Sequence, residues 1–183
     1  MLDDGPCYTG DMTDKIDPKK WFERLHKSAA QKFDIRIDAD GRWYHDGDEI
    51  RRLALVKLFA SVLMRDDDGG FWLVTPVEKG RITVDDAPFF VSQMVIGTSN
   101  DDGGAKIAFQ TSLDDEVVLG PDNPIVMKQA AGRGDSVPYI EIRDGLMAKL
   151  SRPIYYELAA RATVGPDGKL GVWSGPHFFA MED

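Results

Sequence analysis

One order of turns, a helix and a strand occurs twice in this chain, and this recurrence constrains the fold more than any other feature. The first copy contains Asp46-Gly47, a helical run from Arg52, Asp67-Asp68-Gly69 and an aromatic strand. The second copy contains Asp144-Gly145, Arg152, Pro166-Asp167-Gly168 and a strand with Trp173. The pairs with equal spacing are Arg52 and Arg152, Leu58 and Leu158, and Asp67 and Asp167. The recurrence indicates either a duplication, which predicts pseudo-twofold packing with a cleft between the halves, or a coincidence of common elements.

The first half has the pattern of an α/β domain over residues 17–88, after a flexible tail at 1–16. Asp17 and Pro18 are typical of a helix start, and the apolar spacing predicts a helix over 18–31. Alternating residues from Phe33 to Ile37 and a turn before Trp43 predict a β-hairpin. A helical period over 52–65 predicts a second helix with Leu58 and Phe59 on its buried face, followed by strands at 71–77 and 82–84.

The second half, residues 89–183, is rich in predicted strands and has one predicted helix. Strands are expected at 89–97, 106–111, 117–119, 125–128, 137–143 and 170–173, and the helix at 152–162. Gly- and Asp-containing loops are expected at 100–104 and 131–135. The pattern favours a meander or a small barrel with one side covered, and the fold class is α+β with two α/β halves.

Charge and cysteine content exclude several classes of function. The chain has 22 Lys and Arg against 31 Asp and Glu, a formal net charge of −9, which repels nucleic-acid polymers and anionic lipid surfaces. Cys7 is the only cysteine, so no intrachain disulfide forms, and this favours a reducing, cytoplasmic location. The N-terminus lacks the pattern of a signal peptide, and the longest apolar stretch, 53–64, is too short to cross a bilayer.

The chain carries no common catalytic or cofactor motif. The phosphate-binding, dinucleotide-binding, zinc-protease and nucleophile-elbow signatures are absent, so the cofactor stays unknown. The three histidines are too dispersed for a metal site. The acidic run that begins at Asp66 lacks the glycine and the glutamate of a calcium loop, because Phe71 and Val77 stand at those positions. We therefore predict no metal and assign no catalytic residue.

The polar residues between 73 and 90 are the strongest indication of a site. Thr75, Glu78, Lys79, Arg81 and Asp86 lie between apolar strands at the junction of the halves, where binding loops often form. A salt-bridged linker would have the same composition. The site hypothesis places an aromatic stacking surface next to a Lys or Arg that binds an anionic group.

Several stretches resemble the bacterial family DUF1285, a domain of unknown function. They run from Phe33 through Trp43, from Leu55 to Phe59, from Leu73 to Phe89 and from Tyr139 to Leu158, and the Thr-Pro-Val-Glu-Lys-Gly run at 75–80 is the most specific of them. The resemblance implies two α/β halves with repeated motifs and a C-terminal half superficially like pleckstrin-homology folds. It also implies an inter-domain surface that binds a nucleotide-like ligand in signalling, and it carries no biochemical activity.

The leading interpretation is a cytosolic ligand-binding or sensor module that binds a small anionic or nucleotide-like ligand between the domains. The candidate anion contacts are Arg52, Lys79, Arg81, Arg143 and Arg152. The candidate stacking residues are Trp43, Tyr44 and Trp72, and the candidate orienting groups are Thr75, Glu78 and Asp86. One alternative is an enzyme that uses Glu78 or Asp86 as a general acid or base, tuned by burial beside Lys79. The other is an adaptor that binds a protein partner through an apolar patch or a free strand edge.

Overall fold

A computed structural model of the chain describes residues 17–25, 31–98, 104–129 and 136–181. The predicted tail at 1–16 with Cys7, the loop predicted at 131–135 and most of the loop predicted at 100–104 lie outside the described residues.

The N-terminal half forms one mixed sheet with a helix on each face. Its described elements are α1 (Pro18–Arg24), β1 (Gln31–Ile37), β2 (Trp43–His45), β3 (Asp48–Glu49), α2 (Leu53–Ser61), β4 (Leu63–Arg65), β5 (Phe71–Val74) and β6 (Lys79–Val84). The strand order is β3-β2-β1-β6-β5-β4, and β1 and β6 are the parallel pair. Met64 and Trp72 face α1, whereas their neighbours Leu63 and Leu73 face α2, because successive strand residues point to opposite faces.

The C-terminal half has two sheets and one helix in the part of the chain that the structure describes. Its elements are β7 (Phe89–Thr98), β8 (Ala105–Thr111), β9 (Glu116–Val118), β10 (Ile125–Gln129), β11 (Ser136–Arg143), β12 (Leu146–Leu150), α3 (Arg152–Ala159), β13 (Thr163–Val164), β14 (Leu170–Ser174) and β15 (His177–Ala180). The larger sheet has the order β10-β11-β12-β7-β8-β9, and the smaller sheet has the order β13-β14-β15. The α+β, strand-rich class is confirmed. The strands that were expected to form a meander or a small barrel with one side covered divide between a six-stranded and a three-stranded sheet.

Several predicted boundaries are wrong at the ends of the helices. The first helix ends at Arg24 and β1 already begins at Gln31, so the prediction of a helix over 18–31 is too long. The second helix ends at Ser61 with Val62 as its C-cap, and residues 63–65, which were expected to continue the helix, form strand β4 instead. The apolar residues Leu63 and Met64 suit a buried strand as well as a buried helix face, and the pairing with β5 decides between them.

One apolar core extends across both halves. Ile37 and Trp43 from the N-terminal half belong to the same buried cluster as Phe89, Phe109 and Leu158 from the C-terminal half. Each of these side chains is at most 2% exposed. The halves therefore stabilise one another by hydrophobic burial.

The predicted repetition of elements is present in the backbone. The turns Asp46-Gly47 and Asp144-Gly145 each have positive φ at both residues, 50° and 85° in the first and 48° and 76° in the second. This is the backbone of a type I′ hairpin, which favours Asp-Gly. A helix and then a second hairpin follow in both halves.

The second hairpins also close in the same way. The Gly69 N–H donates to the Asp66 carbonyl at 3.0 Å, and the Gly168 N–H donates to the Gly165 carbonyl at 3.0 Å. Both glycines have positive φ, 82° and 75°. Asp66 and Gly165 are therefore structural counterparts.

Leu58 and Leu158 have equal spacing in the two sequence copies but do not occupy equivalent positions in the two helices. Leu58 is 58% exposed, whereas Leu158 is fully buried. The buried residues of α2 are Val56 and Ala60, and those of α3 are Ile154 and Leu158. Similarly, Arg52 precedes α2 as its N-cap, whereas Arg152 is the first residue of α3 and follows the N-cap Ser151.

Gly80 permits the close packing of β1 on β6. A Cβ on Gly80 would lie 2.3 Å from Cδ2 of Phe33, because the aromatic ring lies directly against the glycine backbone. A side chain at this position would displace the ring and strain the parallel β1–β6 pair.

We predict that Gly80→Ala lowers the free energy of unfolding by about 1–3 kcal/mol, because the added methyl group overpacks the site. The matched control is Gly97→Ala in β7, where a Cβ would have no atom within 4 Å. Urea-induced unfolding monitored by tryptophan fluorescence measures both variants. Equal stability of the two variants would contradict the assigned role of Gly80.

Candidate functional site

The Thr75–Gly80 run forms the loop between β5 and β6 and the first residues of β6. The Thr75 N–H donates to the Glu78 carbonyl at 2.9 Å, and the Thr75 hydroxyl accepts from the Glu78 N–H at 3.1 Å. The same hydroxyl is placed to donate to the Glu78 carbonyl at 3.1 Å. These bonds fix the loop, so Thr75 has a structural role in addition to its position at a groove.

Lys79 lies beneath α1. Lys79 is 6% exposed. Its Nζ lies 4.0 Å from the ring centroid of Phe22 and 5.8 Å from the ring centroid of Trp72. Within the described ranges no carboxylate pairs with this ammonium group. The cation–π contacts attach α1 to the sheet, and they leave Lys79 covered where an anion contact was expected.

An apolar groove of about 350 Å³ lies between α2 and the N-terminal sheet. Its floor consists of apolar side chains from β1, α2, the residue after α2, and β5: Phe33, Ile35, Phe59, Val62 and Leu73. Cavities from about 300 to 1,000 Å³ with mainly apolar walls are typical of sites for small molecules. The groove is therefore the candidate site.

A bulge in β1 lies along this groove. Lys32 pairs with Arg81 and Arg36 pairs with Thr83, so residues 33–35 of β1 face Ile82 alone on β6. The extra residues leave the regular ladder beside the groove. Bulges often occur next to active sites, where they re-aim side chains.

The rim of the groove is polar and carries charges of both signs. Lys32 and His45 lie on it together with the carboxylates Asp34 and Glu78, and Thr75 completes it. His45 also lies 3.5 Å from the Asp46 carboxylate. The rim supplies hydrogen-bond donors and acceptors without an excess of positive charge.

A smaller cleft of about 240 Å³ separates the two halves. α2 contributes Lys57, and the C-terminal half contributes Asp115 and Arg143. The Arg143 guanidinium donates to the Ala60 carbonyl at 2.7 Å and lies 5.4 Å from the Phe89 ring centroid. Lys57 forms an ion pair with Asp114. Both cations of the cleft therefore already have partners.

The two adjacent carboxylates of the linker bind different halves. Asp85 pairs with Arg36 of β1. Asp86 accepts a hydrogen bond from the Tyr139 hydroxyl at 2.7 Å and from the Lys149 ammonium at 2.6 Å. The linker is thereby attached to both sides of the junction. Burial, followed by the hydrogen bond to Asp86, raises the pKa of Tyr139 above its ordinary value.

Of the three predicted stacking residues, Trp43 and Trp72 are buried and Tyr44 is half-buried. Trp43 is 2% exposed and stacks on Phe59 with the ring centroids 6.2 Å apart. Trp72 is 9% exposed, and its indole N–H donates to Asp66 at 2.7 Å. The Tyr44 hydroxyl donates to Asp38 at 3.0 Å. These aromatic groups stabilise the fold.

The structure brings together only part of the predicted set. Thr75 and Glu78 lie on one groove, and Arg143 lies in the cleft. Arg52 and Arg152 lie at the starts of different helices, and the exposed Arg81 lies on β6. The five candidate anion contacts therefore do not form one cluster.

The two carboxylates of the catalytic alternative, Glu78 and Asp86, lie in different surroundings. Glu78 is exposed on the groove rim, and both oxygens of Asp86 accept hydrogen bonds. Lys79 lies under α1 and pairs with neither carboxylate.

Across the described residues no group of three or more His, Cys, Asp or Glu is arranged to hold a metal ion. None of the helices in those ranges is long and apolar enough to span a membrane.

Sequence reasoning missed the apolar floor and most of the rim of the groove. Phe33 and Ile35 were interpreted as an ordinary alternating strand, and Phe59 as the buried face of a helix. A bulge that depends on pairing with a distant strand leaves no local pattern. The only useful signal was the polar run at 75–78.

Fold and groove together define a two-part α+β protein with a cavity of small-molecule size in its first part. The family model for the N-terminal domain of DUF1285, a domain of unknown function, matches residues 21–87, and the model for its C-terminal domain matches residues 88–181. The chain belongs to the DUF1285 family.

Two solved structures are similar to this chain. A DUF1285 family protein from Silicibacter pomeroyi DSS-3 is 37% identical with a TM-score of 0.75, and the match covers 85% of each chain. A DUF1285 family protein from Shewanella baltica OS155 is 29% identical with a TM-score of 0.52, and the match covers 68% of this chain and 89% of that one. No curated protein matches the chain.

We predict that Tyr139→Phe destabilises the protein by about 1 kcal/mol at neutral pH, because it removes the hydrogen bond to Asp86. The raised pKa of Tyr139 means that the folded state retains the proton above pH 10.0, the ordinary value, while the unfolded state loses it. The stability that this residue contributes is complete below pH 10.0 and decreases above it.

Urea unfolding at neutral pH and at increasing alkaline pH tests this expectation. The difference in stability between wild type and Tyr139→Phe should shrink as the pH increases above 10.0. Tyr156→Phe is the control, because Tyr156 is 65% exposed on α3. A difference that stays constant with pH would show that Tyr139 titrates equally in both states.

Proposed function

We propose that this protein is a ligand-binding module whose N-terminal half binds a small, mainly apolar molecule in the groove between α2 and the sheet. The observation that carries the proposal is the groove itself, about 350 Å³ with an apolar floor and a polar rim. A few polar groups around an apolar cavity orient a ligand, while the cavity supplies most of the binding energy.

The rim narrows the chemistry of the ligand. The charges of Asp34 and Glu78 offset those of Lys32 and, when it is protonated, His45. A strongly anionic head group would meet two carboxylates, and a strongly cationic group would meet Lys32. The favoured ligand therefore has an apolar body and an uncharged or zwitterionic polar group.

A nucleotide-like anion in the cleft between the halves is the weaker candidate. Arg143 already donates to the carbonyl of Ala60, and Lys57 already pairs with Asp114. A phosphate would have to replace these partners next to Asp115, in a chain with a net charge of −9.

The proposal also includes a sensor role in signalling and a cytosolic location. The cytosolic location is proposed because the chain has a single cysteine.

The test is a titration with Nile red, a neutral apolar dye that fluoresces when it leaves water. Val62→Phe fills the groove and should weaken dye binding by roughly tenfold or more, a change of about 1.4 kcal/mol. The control Val126→Phe adds the same bulk on β10, where Val126 is 38% exposed, and should bind the dye as wild type does. Lack of binding by wild type, or equal binding by Val62→Phe, would reject the groove as the site.

Adenosine diphosphate distinguishes the groove from the cleft. A ligand that binds the folded state stabilises it by RT ln(1 + [L]/Kd), so the melting temperature increases with the logarithm of the ligand concentration once that concentration exceeds Kd. We expect no increase with this nucleotide. An increase that Lys57→Gln removes and Val62→Phe retains would instead move the site to the cleft.

A further inference from the structure

The second hairpins of the two halves match residue by residue in their strand register. Met64 pairs with Trp72, and the counterpart Thr163 pairs with Gly171. Arg65 pairs with Phe71, and the counterpart Val164 pairs with Leu170. The third strands correspond too, because Phe71 pairs with the buried Ile82 and the Leu170 carbonyl accepts a hydrogen bond from the buried Met181. Strand β15 is therefore the counterpart of β6.

The two halves differ in what lies on the far edge of this strand. In the N-terminal half that edge of β6 pairs in parallel with β1, the first strand of the β1–β2 hairpin. In the C-terminal half, β15 pairs with β14 alone among the described strands. The strand that corresponds to β1 by order is β10, the first strand of the β10–β11 hairpin, and it ends the larger sheet.

The C-terminal half thus presents two separate edges whose N-terminal counterparts pair with each other. Strand β12, which β7 joins in parallel, places β7, β8 and β9 in the same sheet as β10. Strand β15 belongs to a different sheet. Both edges stay unpaired within the part of the chain that the structure describes.

The composition of the two edges favours pairing. Strand β15 reads His-Phe-Phe-Ala and β10 reads Ile-Val-Met-Lys-Gln, so they contain one lysine and no proline or carboxylate. Proteins usually protect free edges with charges, prolines or bulges. The edge strand β3, by contrast, consists of Asp48 and Glu49.

We propose that β10 of one copy of this chain pairs in parallel with β15 of a second copy. The contact repeats the β1–β6 pair of the N-terminal half, but between two chains. If a twofold axis relates the copies, each chain contributes β10 to one contact and β15 to the other, and the assembly closes as a dimer.

The hydrogen-bonding direction along β15 identifies the residues that take part. Met181 donates to the Leu170 carbonyl, so alternate residues 177, 179 and 181 point toward β14. The backbone groups of Phe178 and Ala180 then point to the free edge. Their counterparts on β6 are Lys79 and Arg81. Arg81 pairs with Lys32 in the parallel β1–β6 ladder.

The first test replaces one outward-facing N–H. Ala180→Pro removes a donor at the free edge without removing a bond to β14, a position that proline tolerates. Sedimentation equilibrium should give twice the chain mass for wild type and the single chain mass for Ala180→Pro. The matched control is Glu116→Pro on the edge strand β9, where Leu119 donates inward to Ile107 and Glu116 therefore faces outward. This control should remain a dimer.

The second test identifies the partner strand and does not depend on proline. In a Cys7→Ser background, chains with Val126→Cys in β10 are mixed with chains carrying Ala180→Cys in β15, and a short bis-maleimide is added. We expect cross-linked heterodimers from this mixture and none when Val118→Cys in β9 replaces Val126→Cys. A monomeric wild type, a dimeric Ala180→Pro variant, a monomeric Glu116→Pro control, or equal cross-linking through β9 would overturn the proposal.

Discussion

The parallel pair of β1 and β6 is the interaction on which the N-terminal half depends. It joins the β1–β2–β3 meander to the β4–β5–β6 meander and so makes one sheet from two separate stretches of chain. The pair requires Gly80, because the Phe33 ring occupies the space of a side chain there. It also contains the bulge at 33–35 that opens the groove next to α2. The single N-terminal sheet and the candidate site therefore both depend on the β1–β6 pair.

The C-terminal half shows what happens when the equivalent pair is absent within the chain. Its hairpins, helix and turns repeat those of the first half, with the same positive φ values at the Asp-Gly turns. Strands β10 and β15 lie at the edges of different sheets, and the sheet that contains β15 packs through β14 onto β8. The same local elements thus produce one continuous sheet in the first half and two sheets in the second.

The specific run at 75–80 illustrates how a family motif can reflect folding. Thr75 closes the loop, Lys79 lies against Phe22, and Gly80 admits the ring of Phe33. Each residue of this set contacts a different element, so the run connects α1, β1 and β5 around β6. Only Thr75 and Glu78 also reach the groove rim. Most residues of the motif hold the strands and α1 around the groove, and few of them line the groove itself.

Sequence alone determined the features that depend on neighbouring residues. Asp17 caps α1 as expected, the Asp-Gly turns form, and the strand-rich α+β class follows from periods of two and short turn-bounded runs. The exposure of residues such as Leu58, Lys79 and Trp43 was not evident from the sequence, because it depends on which distant strand or helix covers them. Periodicity identifies an apolar face but not its partner. Only the tertiary structure decided that β1 and β6 form a bulged parallel pair in the first half, whereas their counterparts β10 and β15 lie in different sheets in the second. The physical reason is that pairing between distant strands leaves no local pattern in the sequence.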